Sequence, residues 1–133
     1  MSVRLGPSTS PDTQFFWDGL QQRQLLIQRC AACGSLRHPP RPMCPSCRSL
    51  QWGTVTACGR GVVHSFVIPR HPPMPFMEDP YIVALVELEE GTRLVSNLCE
   101  VAPEEAAIGM PVEVFYLELD DGLVLHQFRP AAR

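Results

Sequence analysis

The sequence predicts a mainly β fold in which a short N-terminal helix is followed by a cysteine-rich ribbon and then by a five-stranded barrel. Two observations carry this prediction. Two C-x-x-C pairs lie close together between positions 30 and 47, and five later segments have the apolar, β-branched composition of strands. A chain of 133 residues accommodates one domain, or one small domain with an appendage.

The chain begins with a polar segment and an aromatic helix. Residues 1–11 are rich in Ser, Thr, Pro and Gly, which predicts a flexible arm. A helix is expected over residues 12–24, with Asp12 as its cap. Because a lone short helix is unstable in water, this helix must pack on its own domain or on another chain. It carries an aromatic cluster of Phe15, Phe16 and Trp17.

The clustered cysteines have the spacing C-x2-C-x10-C-x2-C within a predicted ribbon over residues 25–53. Each pair can direct two sulfurs at one ion, and four thiolates in a tetrahedron suit zinc, although iron in a rubredoxin-like site takes the same ligands. Gly34 follows the first pair, where such a turn requires a positive φ. No coordination position stays open for water or substrate, so the metal is expected to be structural. The predicted ligands are Cys30, Cys33, Cys44 and Cys47.

The context of the cysteines favours a metal over disulfides. The N-terminus lacks the apolar region of a secretory signal, and no segment is as long and apolar as a membrane span, so the expected location is the cytoplasm. In a reducing compartment paired cysteines are typical of metal sites.

Residues 54–130 are predicted to form the barrel. A single helical turn is expected over residues 103–109, begun by Pro103 and capped by Gly109. Five strands with such an insertion suit a small barrel such as an OB-fold, with a sandwich as the alternative. The predicted strands are residues 62–68, 81–88, 92–98, 112–119 and 123–128, and a further short strand, residues 25–29, leads into the first cysteine pair.

A long loop over residues 68–80 interrupts the strands with five Pro and two Met. Loops of this length inside a compact domain are usually functional, and methionine offers an adaptable apolar surface. We expect an interface or a ligand site here rather than a plain cover over the barrel end.

Charge is segregated along the chain although the net charge is only −3. Residues 19–77 hold seven Arg and no acid, whereas residues 78–133 hold three Arg against twelve Asp and Glu, a balance of −9; Lys is absent. The first half is therefore expected to meet an anion or an acidic surface.

Catalytic motifs are lacking: there is no nucleophile elbow, P-loop or dinucleotide fingerprint. His64 and His126 fall in strand patterns, His71 lies in the proline-rich loop, and Cys99 follows a strand. These residues do not form a recognisable constellation, so the chain alone is expected to be inactive.

The order of these parts resembles a known family. FFWDGL, LLIQRCAACGSLRHPPRPMCPSC, GRGVVHSF, PYIVALVELEEGTRLVSNL and IGMPVEVFY follow one another as in the acyl-CoA-associated zinc-ribbon and OB-fold family, long catalogued as a domain of unknown function. The resemblance covers about residues 13–130, and the four cysteines match the family's metal ligands. One departure is LHQFRP, where the family often has a proline before its final Phe and this chain has His126 and Gln127.

The resemblance implies a non-catalytic subunit of a thiolase-type acyl-CoA enzyme. The implied reaction is retro-aldol cleavage of a β-hydroxyacyl-CoA of the steroid side-chain type: a partner residue takes the hydroxyl proton and a thioester enolate leaves. It also implies a thiolase-fold partner in a heterotetramer-type assembly, with a hydratase-like subunit as a further partner. An accessory role in a thiolase or acyltransferase complex is the alternative.

Within such a complex, residues are expected on two surfaces. Those expected near CoA or substrate, chosen from charge, are Arg41, Arg60, Arg70 and His71. Those expected at the partner interface are Phe15, Phe16, Trp17, Met74, Phe76 and Met77.

Two other functions stay open on sequence grounds. A single-stranded nucleic-acid-binding module fits the ribbon, the barrel and the arginine run, but the acidic C-terminal half opposes it. A redox protein with iron in the four-cysteine site is the other alternative.

Overall fold

The structure is a computed structural model and describes residues 6–75, 77 and 80–131. No helix among these residues is long and apolar enough to cross a membrane. The elements are α1 (Gln14–Gln21), β1 (Leu26–Cys30), β2 (Leu36–Arg37), β3 (Trp52–Thr56), β4 (Arg60–Val67), β5 (Ile82–Leu88), β6 (Arg93–Leu98), a 3-10 turn (Pro103–Glu105), β7 (Pro111–Glu118) and β8 (Val124–Pro130).

The ribbon is a three-stranded antiparallel sheet with the order β2-β1-β3. Strand β1 pairs with β3 along its whole length, from Leu26 opposite Thr56 to Cys30 opposite Trp52. The sequence did not predict β3, because its residues are mostly exposed and show no apolar alternation. Pairing with β1, some 25 residues away along the chain, therefore fixes this strand.

The five later strands form a closed barrel in the order β4-β5-β6-β8-β7, with β7 pairing back onto β4. All neighbours are antiparallel except β6 and β8, which run parallel where Leu98 faces Phe128. This closure confirms the predicted OB-fold and excludes a sandwich. The barrel core includes Val63, Val86 and Val112, and the Phe128 side chain is fully buried there.

Two glycines let the barrel close tightly. A Cβ on Gly61 would clash with the Glu87 carbonyl oxygen of the neighbouring strand β5. A Cβ on Gly59 would clash with Val114, and this residue also has a φ of +85°. Both positions therefore require glycine for close approach.

Two local predictions about helix ends were wrong. Only Pro103–Glu105 forms a 3-10 turn, and Ala106 is already extended with a ψ of 137°, so Gly109 does not cap it. Gly109 instead uses its φ of +89° in the turn before β7. At α1 the cap position is Thr13 rather than Asp12, and it makes no side-chain capping bond.

Helix α1 packs on the last hairpin of the barrel. Phe16 and Leu20 are buried in the common core. The Gln21 side chain accepts a hydrogen bond from the Val124 N–H at 2.8 Å and donates one to the Gly122 carbonyl at 3.1 Å. Arg23, just after the helix, forms a 2.7 Å ion pair with Glu118 of β7. The helix is thus part of the same packed unit as the barrel.

Candidate functional site: a metal centre and an apolar groove

The four predicted ligands converge on one point. All four sulfurs lie within 4.8 Å of one another. The sulfurs of Cys30 and Cys47 are 3.5 Å apart, and those of Cys33 and Cys44 are 3.6 Å apart. A tetrahedral zinc with zinc–sulfur bonds of about 2.3 Å requires sulfur separations of about 3.8 Å. The donor set therefore fits a structural zinc ion with a complete coordination shell.

The two cysteine turns have the same hydrogen-bond pattern. The Gly34 N–H donates to the Cys30 carbonyl at 3.0 Å, and the Arg48 N–H donates to the Cys44 carbonyl at 2.8 Å. Gly34 has the predicted positive φ, +80°, and Arg48 has a φ of +67°. The sequence did not signal this second position, because its residue is not glycine.

The pKa values of the clustered thiols also bear on metal binding. The Cys33 N–H, at 3.4 Å from the sulfur, lowers the pKa of Cys30 to about 6 against the opposing effect of burial. At Cys47 the Ser49 N–H acts to lower the pKa, but the neighbouring Cys30 sulfur and burial outweigh it and raise the pKa to about 12. Neighbouring sulfurs thus oppose ionisation at Cys47, and a bound metal cation would stabilise the four thiolates together.

A buried amide holds the segment between the two turns. The Gln28 side chain donates to the Arg41 carbonyl at 2.9 Å and accepts from the Arg41 N–H at 2.8 Å. The buried Arg37 guanidinium donates to the same carbonyl. The backbone of Arg41 is therefore fixed while its side chain is exposed.

An apolar groove runs across the barrel beside α1 and consists of two adjoining cavities. The helix cavity, about 440 Å³, lies between α1, residues 38–40 and the barrel. The loop cavity, about 350 Å³, lies between the long loop and the barrel. Trp17, Val95 and His126 line both cavities, and Val95 is 59% exposed.

His126 stands on this groove with a fixed ring orientation. The Ser96 hydroxyl donates to the His126 carbonyl at 3.0 Å. The hydroxyl oxygen of Ser96 also lies 2.8 Å from His126 Nδ1. Since a hydroxyl has one hydrogen, the arrangement that satisfies these atoms has His126 Nδ1–H donating to Ser96. His126 Nε2 is then an acceptor.

Burial keeps both imidazoles of the groove neutral. It lowers the pKa of His126 to about 4, with a smaller effect from the charge of His38. Burial likewise lowers the pKa of His38 to about 4. The Phe16 ring has its centroid 5.2 Å from that of His38 and 5.6 Å from that of His126. No sequence signal linked these residues, although the departure at His126 from the family pattern marked one of them.

The residues predicted to lie near CoA do not form one cluster. Arg60 begins β4 and Arg70 lies three residues beyond its end, so the strand, roughly 23 Å long, separates them. Arg41 lies on the ribbon, and His71 follows Arg70 in the loop; all four side chains are exposed.

The residues predicted for the partner interface fall into three groups. Trp17, Met74 and Met77 line the loop cavity and are half-buried. Phe15 packs on Trp52 with ring centroids 4.9 Å apart. Phe16 is only 3% exposed, so its side chain belongs to the core. Phe76 lies outside the described residues.

Comparison with known proteins agrees with this architecture. Residues 17–53 match the ChsH2 rubredoxin-like zinc ribbon domain, and residues 54–117 match the ChsH2 C-terminal OB-fold domain. A solved chain described as "Ltp2-ChsH2(DUF35) aldolase" superposes with a TM-score of 0.92 at 54% identity, covering 96% of this chain and 100% of that one.

Three curated relatives carry names from acyl-CoA metabolism. A probable enoyl-CoA hydratase alpha subunit of Thermomonospora curvata is 53% identical over 98% of this chain and 41% of its own length. The 3-oxo-4,17-pregnadiene-20-carboxyl-CoA hydratase alpha subunit of Mycobacterium tuberculosis is 47% identical over 86% of this chain and 37% of its own length. The benzoylsuccinyl-CoA thiolase subunit BbsA of Thauera aromatica is 31% identical over 73% of this chain and 71% of its own length.

The chain spans about two fifths of the length of the hydratase subunits that it matches. It covers, however, the whole of the chain in the aldolase structure. By sequence, fold and metal-ligand set, it belongs to the DUF35 family of rubredoxin-like zinc ribbon and OB-fold proteins.

Proposed function

We propose that this chain is the non-catalytic, zinc-containing partner of a thiolase-fold enzyme that cleaves a β-hydroxyacyl-CoA by a retro-aldol reaction, of the steroid side-chain type. The observation that carries the proposal is the match of 96% of this chain to the whole of a chain of the Ltp2-ChsH2 aldolase. The names of the pregnadiene-carboxyl-CoA hydratase and the benzoylsuccinyl-CoA thiolase subunits support a CoA thioester substrate and a thiolase-fold partner.

The chemistry of the chain supports a structural role within that complex. The metal centre has four sulfur ligands and thus offers substrate no open position. His126, the polar side chain shared by both cavities, is half-buried, and its pKa of about 4 makes it a weak base near neutral pH. The proton of the substrate hydroxyl is therefore assigned to a residue of the partner.

In the complex we assign Met74, Met77 and Trp17 to the surface that meets the partner, and the exposed Arg60 and Arg70 to contacts with CoA phosphates. A heterotetramer-type assembly and an additional hydratase-like subunit belong to the same proposal. The loop cavity supports the first assignment, since its methionines present an adaptable apolar surface.

Nucleic-acid binding is not favoured. Of the barrel aromatics, Phe128 is fully buried and Phe115 is covered by Arg129, whose guanidinium lies 5.2 Å from the ring centroid. Arg23 and Arg37 of the arginine run are engaged within the chain. Among the described residues, these two aromatic rings and these two cations are therefore not free to contact a single strand.

Affinity capture tests the proposal. The tagged chain is recovered from native extract at moderate salt, bound proteins are identified by mass spectrometry, and the purified complex is assayed for cleavage of a β-hydroxyacyl-CoA. We expect a thiolase-fold chain near one-to-one, with activity in the complex and none in either chain alone. Recovery of nucleic acid without such a chain would overturn the proposal. Met74→Asp should weaken capture, and Ile108→Asp, at a residue that is 71% exposed elsewhere, is the matched control.

A further inference from the structure

The helix cavity has the size and position of a small-molecule site. Its volume of about 440 Å³ falls within the range of roughly 300–1,000 Å³ that is usual for ligand cavities. It lies where three parts of the chain meet: α1, the 38–40 segment of the ribbon and the barrel strands. Such junctions are common positions for ligand sites.

The walls of this cavity select an apolar and uncharged occupant. They are formed mainly by Phe16, Trp17, Leu85, Leu94 and Val95. No carboxylate is among the described lining residues, so the cavity offers nothing to balance a ligand cation. The one cationic side chain in that lining, Arg93, is engaged at its Nε by Glu87 at 3.1 Å.

Two imidazoles line the cavity, those of His38 and His126. The buried Nδ1 of His38 has no hydrogen-bond partner among the described residues, whereas the ring of His126 is oriented by a hydrogen bond. Ser96 takes the Nδ1–H of His126, which leaves His126 Nε2 with a lone pair and no hydrogen. The low pKa of this imidazole keeps it in that state near neutral pH. An acceptor of this kind is satisfied by a hydroxyl or another neutral donor, and it disfavours a second acceptor.

We propose that the helix cavity is a binding site for an uncharged, apolar small molecule that carries a hydroxyl group, with His126 Nε2 accepting the hydroxyl hydrogen. The side chains of Phe16, Trp17, Leu94 and Val95 contact the hydrocarbon body. Ser96 is a positioning residue that fixes the His126 tautomer. The lining of the site comes from this chain, so the proposal can be tested without the proposed thiolase-fold partner.

Two probes that differ in one hydrogen-bond donor test the proposal on the full, metal-loaded chain without partner. Decahydro-2-naphthol offers an alicyclic body and a hydroxyl, and its methyl ether keeps the body but lacks the donor. Binding is followed by Trp17 fluorescence in a Trp52→Phe background, because the chain has two tryptophans. We expect the alcohol to bind and its methyl ether to bind about tenfold more weakly, as one hydrogen bond of typical strength requires.

Variants then locate the hydrogen bond. His126→Phe keeps an aromatic ring and removes the acceptor, so it should abolish the difference between alcohol and ether. Ser96→Ala should reduce that difference, whereas His64→Phe, at an exposed position on β4, should leave it unchanged. Equal binding of alcohol and ether to the parent chain, absence of binding by the alcohol, or an undiminished preference in His126→Phe would each overturn the proposal. If His126→Phe fails to fold, the two-probe comparison on the parent chain decides alone.

Discussion

Arg48 occupies in the second cysteine turn the place that Gly34 occupies in the first. Each residue follows the second cysteine of its pair, has a positive φ and donates its N–H to the carbonyl of the residue four positions earlier. The two turns are therefore near-copies in backbone geometry, but only one of them has the residue that this geometry favours.

Replacing Arg48 with Gly should stabilise the metal-loaded protein. Relief of the left-handed conformation gains about 1–2 kcal/mol, and the greater freedom of glycine in the unfolded chain offsets about half of this. We expect a net increase of about 0.5–1 kcal/mol in the free energy of unfolding, measured by urea titration with excess zinc. Gly34→Ala should lower the free energy of unfolding by about 1 kcal/mol. If both substitutions stabilise the protein, or both destabilise it, the two turns are not equivalent.

Cys44→Ser should remove the bound metal and unfold the ribbon. A structural zinc site contributes on the order of 10 kcal/mol to folding of its segment, and a missing thiolate forfeits much of this. Metal content by mass spectrometry should fall from one ion per chain to near zero. Cys58→Ser, at an exposed cysteine outside the cluster, should keep a full complement. The same measurement distinguishes zinc from iron, and retention of metal by Cys44→Ser would exclude the four-cysteine site.

Acidification should destabilise the contact between α1 and the barrel through His38 and His126. Both pKa values are lowered in the folded chain from 6.5 to about 4, so the unfolded chain binds more protons below pH 6.5. The stability is present above pH 6.5 and is lost as pH falls toward 4. From about pH 7 to pH 5.5 the unfolding free energy should fall by about 1.2 kcal/mol for each histidine.

Urea titrations at several pH values measure this loss. His126→Gln should make the dependence on pH shallower. A dependence that is equally steep in His126→Gln and in the parent chain would show that these imidazoles are not buried as neutral groups.

Gly61→Ala should destabilise the barrel severely. The added Cβ would clash with the Glu87 carbonyl oxygen, a backbone atom that cannot move without breaking the pairing of β4 and β5. We expect a loss of about 2–3 kcal/mol, as for overpacking in a core. Gly53→Ala is the matched control, because its Cβ would meet nothing within 4 Å and the position lies in a strand. Thermal denaturation of both variants measures the difference.

The sequence identified the features that depend on local pattern. Cysteine spacing predicted the four cysteines whose sulfurs converge, and apolar alternation located the five barrel strands. Strand β3 was missed because its exposed side chains carry no pattern and only its pairing with β1 defines it. Gly109 was wrongly assigned to a helix end. A glycine with a positive φ occurs in other turns as well as at helix ends, so the residue alone does not distinguish them.

The apolar groove could not be predicted from local sequence pattern, because its residues come from distant parts of the chain. Trp17 and His126 are more than 100 residues apart along the chain and meet because α1 packs against β8. Likewise, Ser96 and His126 lie on strands β6 and β8, which become neighbours only when the barrel closes. Contacts of this kind depend on topology, which periodicity in one strand does not encode.

The docking of α1 on the β7–β8 hairpin bears on how the protein is made. Gln21 leaves the ribosome about 100 residues before its hydrogen-bond partner Val124. At roughly 5–20 residues per second, about 5 to 20 s pass before that partner is synthesised. During translation the side chains of Phe16 and Leu20 thus have no barrel to cover them. The nascent chain carries an aromatic segment that a chaperone can bind until the last strand emerges.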